Sequence, residues 1–266
     1  MGLPSLTTIG LIVGAASLTS CRNPSHPDAT HTARPPLVVP AGWVATPPPT
    51  DTTGWYCANW SHDQWSVDTN SAGALRIMRD NAVRSVVYHT SGGFLQGLNR
   101  GEFGGELEWI DSAGTPPQIL IKTNPIAFTP TSAGVFLWVE HMLDGLLLRV
   151  RRLDEHRWQV DTVVSLPTTP EAVATVDPTH FIVAGYWGVL AVDAGARTAT
   201  WLHQNHQWIL TYPSSMVVAS DGRIFIGMRR AVVQLDPAAS GYREIWLVSA
   251  SCPRQRWVAD GVPCGC

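Results

Sequence analysis

The 266-residue chain has a formal net charge of −3, with 18 basic and 21 acidic side chains, and 45% of its residues are hydrophobic. Charge this balanced, without a basic stripe, argues against nucleic acid as a partner, because nucleic-acid-binding domains concentrate Lys and Arg on one surface. The length and hydrophobic content are sufficient for one substantial core.

The chain begins with an apolar segment that ends at a cysteine. Residues 9–16 are apolar, which is too short for a membrane span of about 20 residues and typical of a signal-peptide core. The sequence LTSC at residues 18–21 resembles the lipobox of bacterial lipoproteins. That resemblance implies that residues 1–20 are a signal peptide and that Cys21 is lipidated. By the same resemblance, Arg22 after the cysteine implies an outer-membrane lipoprotein facing the periplasm, and a secreted or cell-surface protein is the alternative.

Residues 21–53 are rich in proline and threonine and have neither a helical nor a strand periodicity. Such a composition predicts a disordered, partly extended tether. We therefore expect a lipid anchor in the membrane, a tether, and a globular domain over residues 54–266.

The globular part contains an internal repeat. Residues 170–194 align without a gap with residues 213–237 at an offset of 43, which pairs Phe181 with Ile224 and Asp193 with Asp236. Each copy holds short runs rich in Val and Ile between turn signals, as in an antiparallel meander. A repeat of about 40–45 residues indicates propeller blades of four strands each.

Prolines open successive repeats. Pro125, Pro170 and Pro213 are spaced 45 and 43 residues apart, and proline suits the first residue of a strand because no ladder donor is lost there. An earlier repeat begins near residue 83. The sequence thus predicts four complete blades between about residues 81 and 250.

The two ends of the chain supply matching fragments. Residues 54–79 predict three strands, at 55–60, 64–67 and 74–78, and residues 253–261 predict one more. A blade made from both ends would close a ring and protect its edges. We therefore expect an all-β fold, a five-bladed β-propeller closed by a blade shared between N- and C-terminal strands, with four blades plus capping strands as the alternative. The chain resembles degenerate propeller-repeat proteins in general and lacks the signatures of WD40 and sialidase-like blades.

Four cysteines remain after Cys21, an even number that predicts disulfides in an oxidising compartment. We expect Cys252 to pair with either Cys264 or Cys266, and Cys57 to pair with the other of those two.

The loops between second and third strands, and the segments that link blades, should lie on one face of a propeller. Aromatic and charged residues on such loops are typical of a binding face; an equally weighted interpretation is that turns need polar residues and that Trp187 packs on a neighbouring blade. The candidate ligand-binding residues are His62, Glu102, Phe103, His141, Tyr186, Trp187, Trp208, Arg229 and Arg230.

Sequence motifs for catalysis are absent: the chain has no G-x-S-x-G, H-E-x-x-H or P-loop. We therefore expect no cofactor and no metal, and predict a non-enzymatic cell-envelope lipoprotein whose propeller binds an envelope protein or a carbohydrate ligand. The alternative is a carbohydrate-active hydrolase or lyase with carboxylates at the channel mouth, for which Asp63, Glu102 and Asp144 are the candidates.

Overall fold

A computed structural model describes residues 37–80, 86–155 and 157–251, together with the backbone of two short strands at 257–259 and 262–264. The predicted signal peptide, the lipidation of Cys21 and the first part of the tether lie outside these residues. Within the described part of the chain, no helix is long and apolar enough to cross a bilayer.

The N-terminal part combines one helix with three short strands. Its elements are β1 (Trp43–Thr46), α1 (Thr52–Asn59), β2 (Trp65–Thr69) and β3 (Leu75–Arg79), of which β2 and β3 pair with each other.

Three four-stranded antiparallel sheets follow, each a meander in chain order, with a three-residue 3-10 turn at Gly101–Phe103. The first contains β4 (Val86–Thr90), β5 (Gly93–Asn99), β6 (Gly105–Asp111) and β7 (Gln118–Lys122). The second contains β8 (Asn124–Thr131), β9 (Gly134–His141), β10 (Asp144–Arg152) and β11 (Trp158–Leu166). The third contains β12 (Pro170–Thr175), β13 (His180–Gly185), β14 (Gly188–Asp193) and β15 (Thr198–Gln204).

A 3-10 segment at His206–Leu210 leads into the fourth large sheet. Its strands are β16 (Ser215–Val218), β17 (Ile224–Gly227), β18 (Val232–Pro237) and β19 (Tyr242–Ser249), and β1 adds a fifth strand at the edge of β19. The last two strands, β20 (Trp257–Ala259) and β21 (Val262–Cys264), pair with each other. The prediction of an all-β fold made of successive antiparallel four-stranded units is confirmed.

The first strands of successive sheets are neighbours: β4 lies next to β8, β8 next to β12, β12 next to β16, and β16 next to β2. The core therefore lies between the faces of adjacent sheets. Between the second and third sheets, the rings of Phe136 and Trp138 pack edge-on against Phe181, with centroids 5.3 and 5.2 Å apart. Perpendicular rings are a favourable aromatic geometry, so these contacts fix how one sheet rests on the next.

The strand predicted at residues 55–60 is wrong, because residues 55–59 belong to helix α1 and Trp60 is its C-cap. The Asp51 side chain caps the helix by accepting a hydrogen bond from Gly54 N at 2.7 Å. The helix is retained by burial of its apolar side: Trp55 lies 5.3 Å from the ring of Trp246 in a T-shaped contact, and Ala58 is fully buried.

The segment from residue 37 also differs from the unpatterned tether expected up to residue 53. Leu37 is buried, and its carbonyl accepts a hydrogen bond from Arg223 Nη2 at 2.6 Å. Strand β1 then covers the edge of β19, with Trp43 packed 4.8 Å from the ring of Trp65. The pairing of β1 with β19 and the contact between Trp43 and Trp65 order this segment despite its high proline content.

The two chain ends do not form the shared four-stranded blade that the sequence predicts. In the described residues, β2 and β3 make one two-stranded sheet and β20 and β21 make another. Strand β2, which was expected to be third in that blade, instead lies beside β16: Val67 N donates to Ser215 Oγ at 2.8 Å, and Ser214 Oγ donates to the Trp65 carbonyl at 3.0 Å.

Candidate functional site

The loops between the second and third strands of successive sheets are joined into one surface, here called the loop face. Trp187 N donates to Thr168 Oγ1 at 3.0 Å, and its indole Nε1 donates to the Leu143 carbonyl at 3.1 Å, which links the third sheet to the second. Arg229 N donates to the Thr211 carbonyl at 2.6 Å, in the segment that leaves the third sheet. These bonds fix loops from three sheets relative to one another.

Two glycines place Tyr186 and Trp187 on this surface. Gly188 has φ +133°, and a Cβ there would lie 2.1 Å from the His203 carbonyl oxygen; a Cβ on Gly185 would lie 2.2 Å from the Thr169 carbonyl oxygen. Close backbone approach of this kind requires glycine. The hairpin between β13 and β14 is therefore drawn against its neighbours, and its two aromatic residues are held in place.

Tyr186 lies beside two carboxylates. Its hydroxyl hydrogen-bonds to Glu171, which is 8% exposed, and it also lies in the field of Glu140. Burial, followed by the charges of Glu171 and Glu140, raises the pKa of the Tyr186 phenol far above its usual value. Tyr186 therefore remains a neutral hydrogen-bond donor and is not available as a phenolate nucleophile.

The aromatic surface continues to Tyr212 and then to a cation. The rings of Tyr186 and Tyr212 are perpendicular with centroids 6.1 Å apart, and the Arg229 guanidinium lies 4.3 Å from the centroid of Tyr212. Arg229 Nη1 also donates to the Asn59 carbonyl at 2.5 Å and to its side-chain oxygen at 3.2 Å. Arg229 thus connects helix α1 to the loop face.

The other predicted binding residues are dispersed around this centre. His141 is exposed and its Nδ1 lies 2.9 Å from Asp144 Oδ1. Phe103 is 92% exposed at the end of the first-sheet loop. His62 is exposed, in the segment after α1. Glu102 lies in the 3-10 turn beside Phe103, and its side chain is outside the described part of the chain.

Arg230 sits in the turn after β17 with φ +72°, and its backbone N–H donates to the Asp63 carbonyl at 2.6 Å. Burial lowers the pKa of its guanidinium from the ordinary value. Asp63 in turn pairs with Arg79 at 2.7 Å. These residues hold the loop after α1 against the fourth sheet.

The position of Trp208 differs from the prediction, because the residue is fully buried and presents no surface to a ligand. Its Nε1 donates to Glu244 Oε1 at 3.2 Å. Glu244 also accepts from Trp246 Nε1 at 2.7 Å and Asn205 Nδ2 at 3.0 Å, and it lies 2.9 Å from His203 Nε2. This buried cluster joins the third sheet to the fourth.

Sequence reasoning missed Glu140 and Glu171. Glu171 follows Pro170 at the start of a first strand, where the aligned position in the next repeat is Ser214. A carboxylate at the start of a strand buried between sheets is unusual, because burial of a charge is costly without partners. That signal could have identified Glu171. No such signal marks Glu140, which lies near the end of an ordinary strand.

A separate shallow pocket of about 620 Å³ lies at the opposite end of the sheets, among the turns. Arg152 lines it, with its guanidinium 5.1 and 5.7 Å from the rings of Trp109 and Trp158 and bonded to the backbone carbonyls of Asp154 and Glu155. The interactions of this arginine are internal to the fold, so it joins the first two sheets.

Across the residues whose side chains the structure places, no group of three or more His, Cys, Asp or Glu residues could hold a metal ion. No protein-family model matches this chain. No curated protein matches it either.

Proposed function

We propose that this protein is a cell-envelope lipoprotein whose domain is a five-bladed β-propeller acting as a non-enzymatic binding module. The four large meanders and the contacts between their first strands support a radial arrangement of blades. The pairing of β2 with β3 and the contacts of β2 with β16 support a further unit beside the fourth sheet. The contact between α1 and β21 supports a meeting of the two chain ends.

The observation that carries the binding function is the joined loop face. A propeller offers such a surface at little conformational cost, because its loops are fixed by a rigid scaffold. Large apolar side chains are exposed there: Phe103, Met142 and Leu143 are 92%, 81% and 55% exposed. Adjacent exposed apolar side chains such as Met142 and Leu143 are typical of interaction sites.

The chemistry of this face supports binding over catalysis. Asp144 contacts His141 and Asp63 pairs with Arg79, so two of the three carboxylates suggested for a hydrolase already have partners. The pKa of Tyr186 is raised by burial and by Glu171 and Glu140, which is opposite to what a nucleophile requires.

A carbohydrate-active enzyme stays the second candidate because Glu140 and Glu171 both approach Tyr186. Paired carboxylates are the usual catalytic groups of glycosidases. Hydrolysis of envelope polysaccharides by the wild-type protein, lost in both Glu140→Gln and Glu171→Gln, would favour this enzyme over a binding module.

The binding function is tested by capture of partners from detergent-solubilised native envelopes. Trp187→Ala and Phe103→Ala should each reduce the recovered ligand or protein at least about fivefold, since a buried aromatic contact contributes more than 1 kcal/mol. Arg229→Ala is unsuitable because it also releases helix α1. Val176→Ala is the matched control, an exposed apolar residue in a turn at the opposite end of the sheets. Unchanged capture by both loop-face variants would contradict the proposal.

A further inference from the structure

Three arginines converge on a short stretch of β11, the edge strand of the second sheet. Arg149 lies opposite Asp161 in the ladder between β10 and β11. Arg151 Nη2 lies 2.7 Å from Asp161 Oδ2. From the turn between β14 and β15, Arg197 donates to the backbone carbonyls of residues 162 and 163, at 2.9 and 3.2 Å. Cations from two sheets therefore meet at three consecutive residues of one strand.

The acidic side chains at this edge are held by other partners. Asp161 accepts from Gln159 Nε2 through Oδ1 at 2.9 Å and pairs with Arg151 through Oδ2. Asp193, in the turn between β14 and β15, accepts from backbone N–H groups of that turn, and its Oδ2 lies 3.3 Å from His180 Nε2. Neither carboxylate forms an ion pair with Arg149.

Arg149 is left without an acceptor inside the fold. Its guanidinium lies 5.3 Å from the centroid of the Phe136 ring. Its Nε is buried, yet no residue in the described part of the chain accepts a hydrogen bond from that atom, and none pairs with its terminal nitrogens. A buried donor without a partner costs stability, and buried polar groups in native proteins almost always have one. The observation points to an acceptor that comes from outside the chain.

The donors of this edge fit an oxyanion. A guanidinium presents N–H groups in a planar fork that matches two oxygens of a phosphate or a carboxylate. The side chain of Arg151 is 50% exposed and Arg197 is exposed, so both add positive charge beside a group bound at Arg149. Three arginines around the single Asp161 favour a doubly charged phosphate over a singly charged carboxylate, because Coulomb attraction grows with the charge of the ligand.

We propose that the edge of the second sheet binds a phosphate monoester, with Arg149 donating to its oxygens and with Arg151 and Arg197 supplying the flanking charge. The site lies outside the loop face, and its function does not depend on the binding function proposed there. A soluble phosphate ester and a lipid with a monoester phosphate headgroup offer the same chemistry.

The test uses the purified full chain, titrated calorimetrically at low ionic strength with inorganic phosphate and with acetate. Wild-type protein should bind phosphate saturably and at least about tenfold more tightly than acetate. Arg149→Met keeps an apolar stem beside Phe136 and should weaken phosphate binding at least about tenfold. Arg76→Met is the matched control: Arg76 is a half-exposed arginine paired with Asp68 in another sheet, and its replacement should leave phosphate binding unchanged.

Thermal unfolding separates a binding residue from a structural one. Without phosphate, Arg149→Met should unfold within about 4 °C of wild type, because the lost contact with Phe136 is offset by removal of an unsatisfied N–H. Excess phosphate should raise the melting temperature of wild type and not that of the variant. Arg151→Gln leaves Arg149 in place and should weaken phosphate binding by a smaller factor than Arg149→Met.

Glycerophosphate and the short-chain lipid dihexanoyl phosphatidate, titrated below its micellar concentration, distinguish the two sources. Tighter binding of the lipid identifies a lipid headgroup, and equal binding identifies a soluble ester; both require Arg149. The site is overturned if wild-type protein shows no saturable phosphate binding or binds acetate equally well. Phosphate binding that is unaltered in Arg149→Met, or lost equally in Arg76→Met, would also overturn it.

Discussion

At the scale of single residues, Glu244 stands out because its carboxylate is buried and must be satisfied by hydrogen bonds. It is 7% exposed, and its two oxygens accept bonds from Trp208, Trp246 and Asn205 and contact His203. A buried carboxylate is tolerated only when its lone pairs are satisfied. The cost of burying this charge is offset by four partners, His203 of β15, Trp246 of β19, and Asn205 and Trp208 of the segment after β15, so Glu244 acts as a structural group.

Glu244→Gln should lower the free energy of unfolding by about 2–4 kcal/mol, because the Trp208 and Trp246 indoles already share Oε1 and an amide nitrogen in place of Oε2 could not accept from Asn205 Nδ2. Urea denaturation at pH 7 measures this loss. Glu155→Gln, in an exposed turn, should change stability by less than about 0.5 kcal/mol. Equal stability of the two variants would contradict the role given to Glu244.

The lowered pKa of Glu244 also predicts that the stability of the protein depends on pH. Burial acts to raise the pKa of Glu244, but hydrogen bonds from His203, Asn205 and Trp246 outweigh it and lower the pKa below its ordinary value of 4.5. An acid with a lowered folded-state pKa contributes stability above its unfolded pKa, and that contribution is lost as the pH falls toward the folded value. The stability difference between wild type and Glu244→Gln should therefore be constant near neutrality and shrink below about pH 4.5. Denaturation curves of both proteins from pH 7 to pH 3.5 measure this difference. A difference that stays constant over the whole range would contradict the prediction.

At the scale of elements, the hairpin between β13 and β14 determines the geometry of the loop face. Its flanking glycines allow the backbone to approach neighbouring segments where any side chain would collide. The result is a tight turn that presents Tyr186 to the carboxylates and Trp187 to Leu143. The positions of Tyr186 and Trp187 are therefore set by the backbone conformation at Gly185 and Gly188.

Gly188→Ala should destabilise the protein by at least about 2 kcal/mol, because its Cβ would overlap the His203 carbonyl and its φ of +133° is unfavourable for alanine. Gly114→Ala is the matched control: φ is also positive at +79°, but no atom lies within 4 Å of the added Cβ. It should cost only about 1 kcal/mol of backbone strain. Thermal unfolding of both variants makes the comparison. A loss of stability in Gly188→Ala no larger than that in Gly114→Ala would contradict the predicted collision.

Elements also define what the sequence could predict. The repeat and the prolines at 125, 170 and 213 predicted the meanders, since alternating burial and turn chemistry are local signals. Helix α1 was missed because a short segment rich in tryptophan and threonine was interpreted as a strand, while the capping signal at Asp51 was overlooked. Strand β1 was missed because its partner β19 is about 200 residues away.

The site was less predictable than the fold. The hairpin residues Tyr186 and Trp187 could be chosen from their place in the repeat. Trp208 could not be separated from them, because an aromatic residue in a linking segment serves a core or a surface equally well. Trp208 is buried where its indole bonds to Glu244 of β19. That contact depends on how the third and fourth sheets pack, which the sequence does not show.

At the scale of the whole molecule, the unresolved question in the sequence was how the chain ends meet. Helix α1 carries the buried Cys57 and lies against β21, the strand that ends at Cys264. This backbone proximity supports Cys264 as the partner of Cys57, and Cys252 would then pair with Cys266. The side chains of Cys252, Cys264 and Cys266 lie outside the described residues, so both bonds stay predictions.

Non-reducing peptide mapping should recover the peptide containing Cys57 linked to the peptide containing Cys264. The double variant Cys57→Ser, Cys264→Ser should lose about 2–5 kcal/mol of stability, since a bond across so long a loop restricts the unfolded chain strongly. The effect of a reductant should be smaller in that variant than in wild type. A linkage of Cys57 to Cys252 would contradict the arrangement.

The attachment of the segment before β1 has a mechanical consequence. Tension applied at the N-terminal side would first strain the Leu37 carbonyl held by Arg223, and then the ladder between β1 and β19, whose register runs from Trp43 with Ser249 to Thr46 with Trp246. That load would be borne by β1, the outermost strand of the fourth sheet, and by the edge-to-face contact between Trp43 and Trp65. None of these contacts involves the loop face, so the proposed anchor would pull on the edge of the fourth sheet and not on the proposed binding surface.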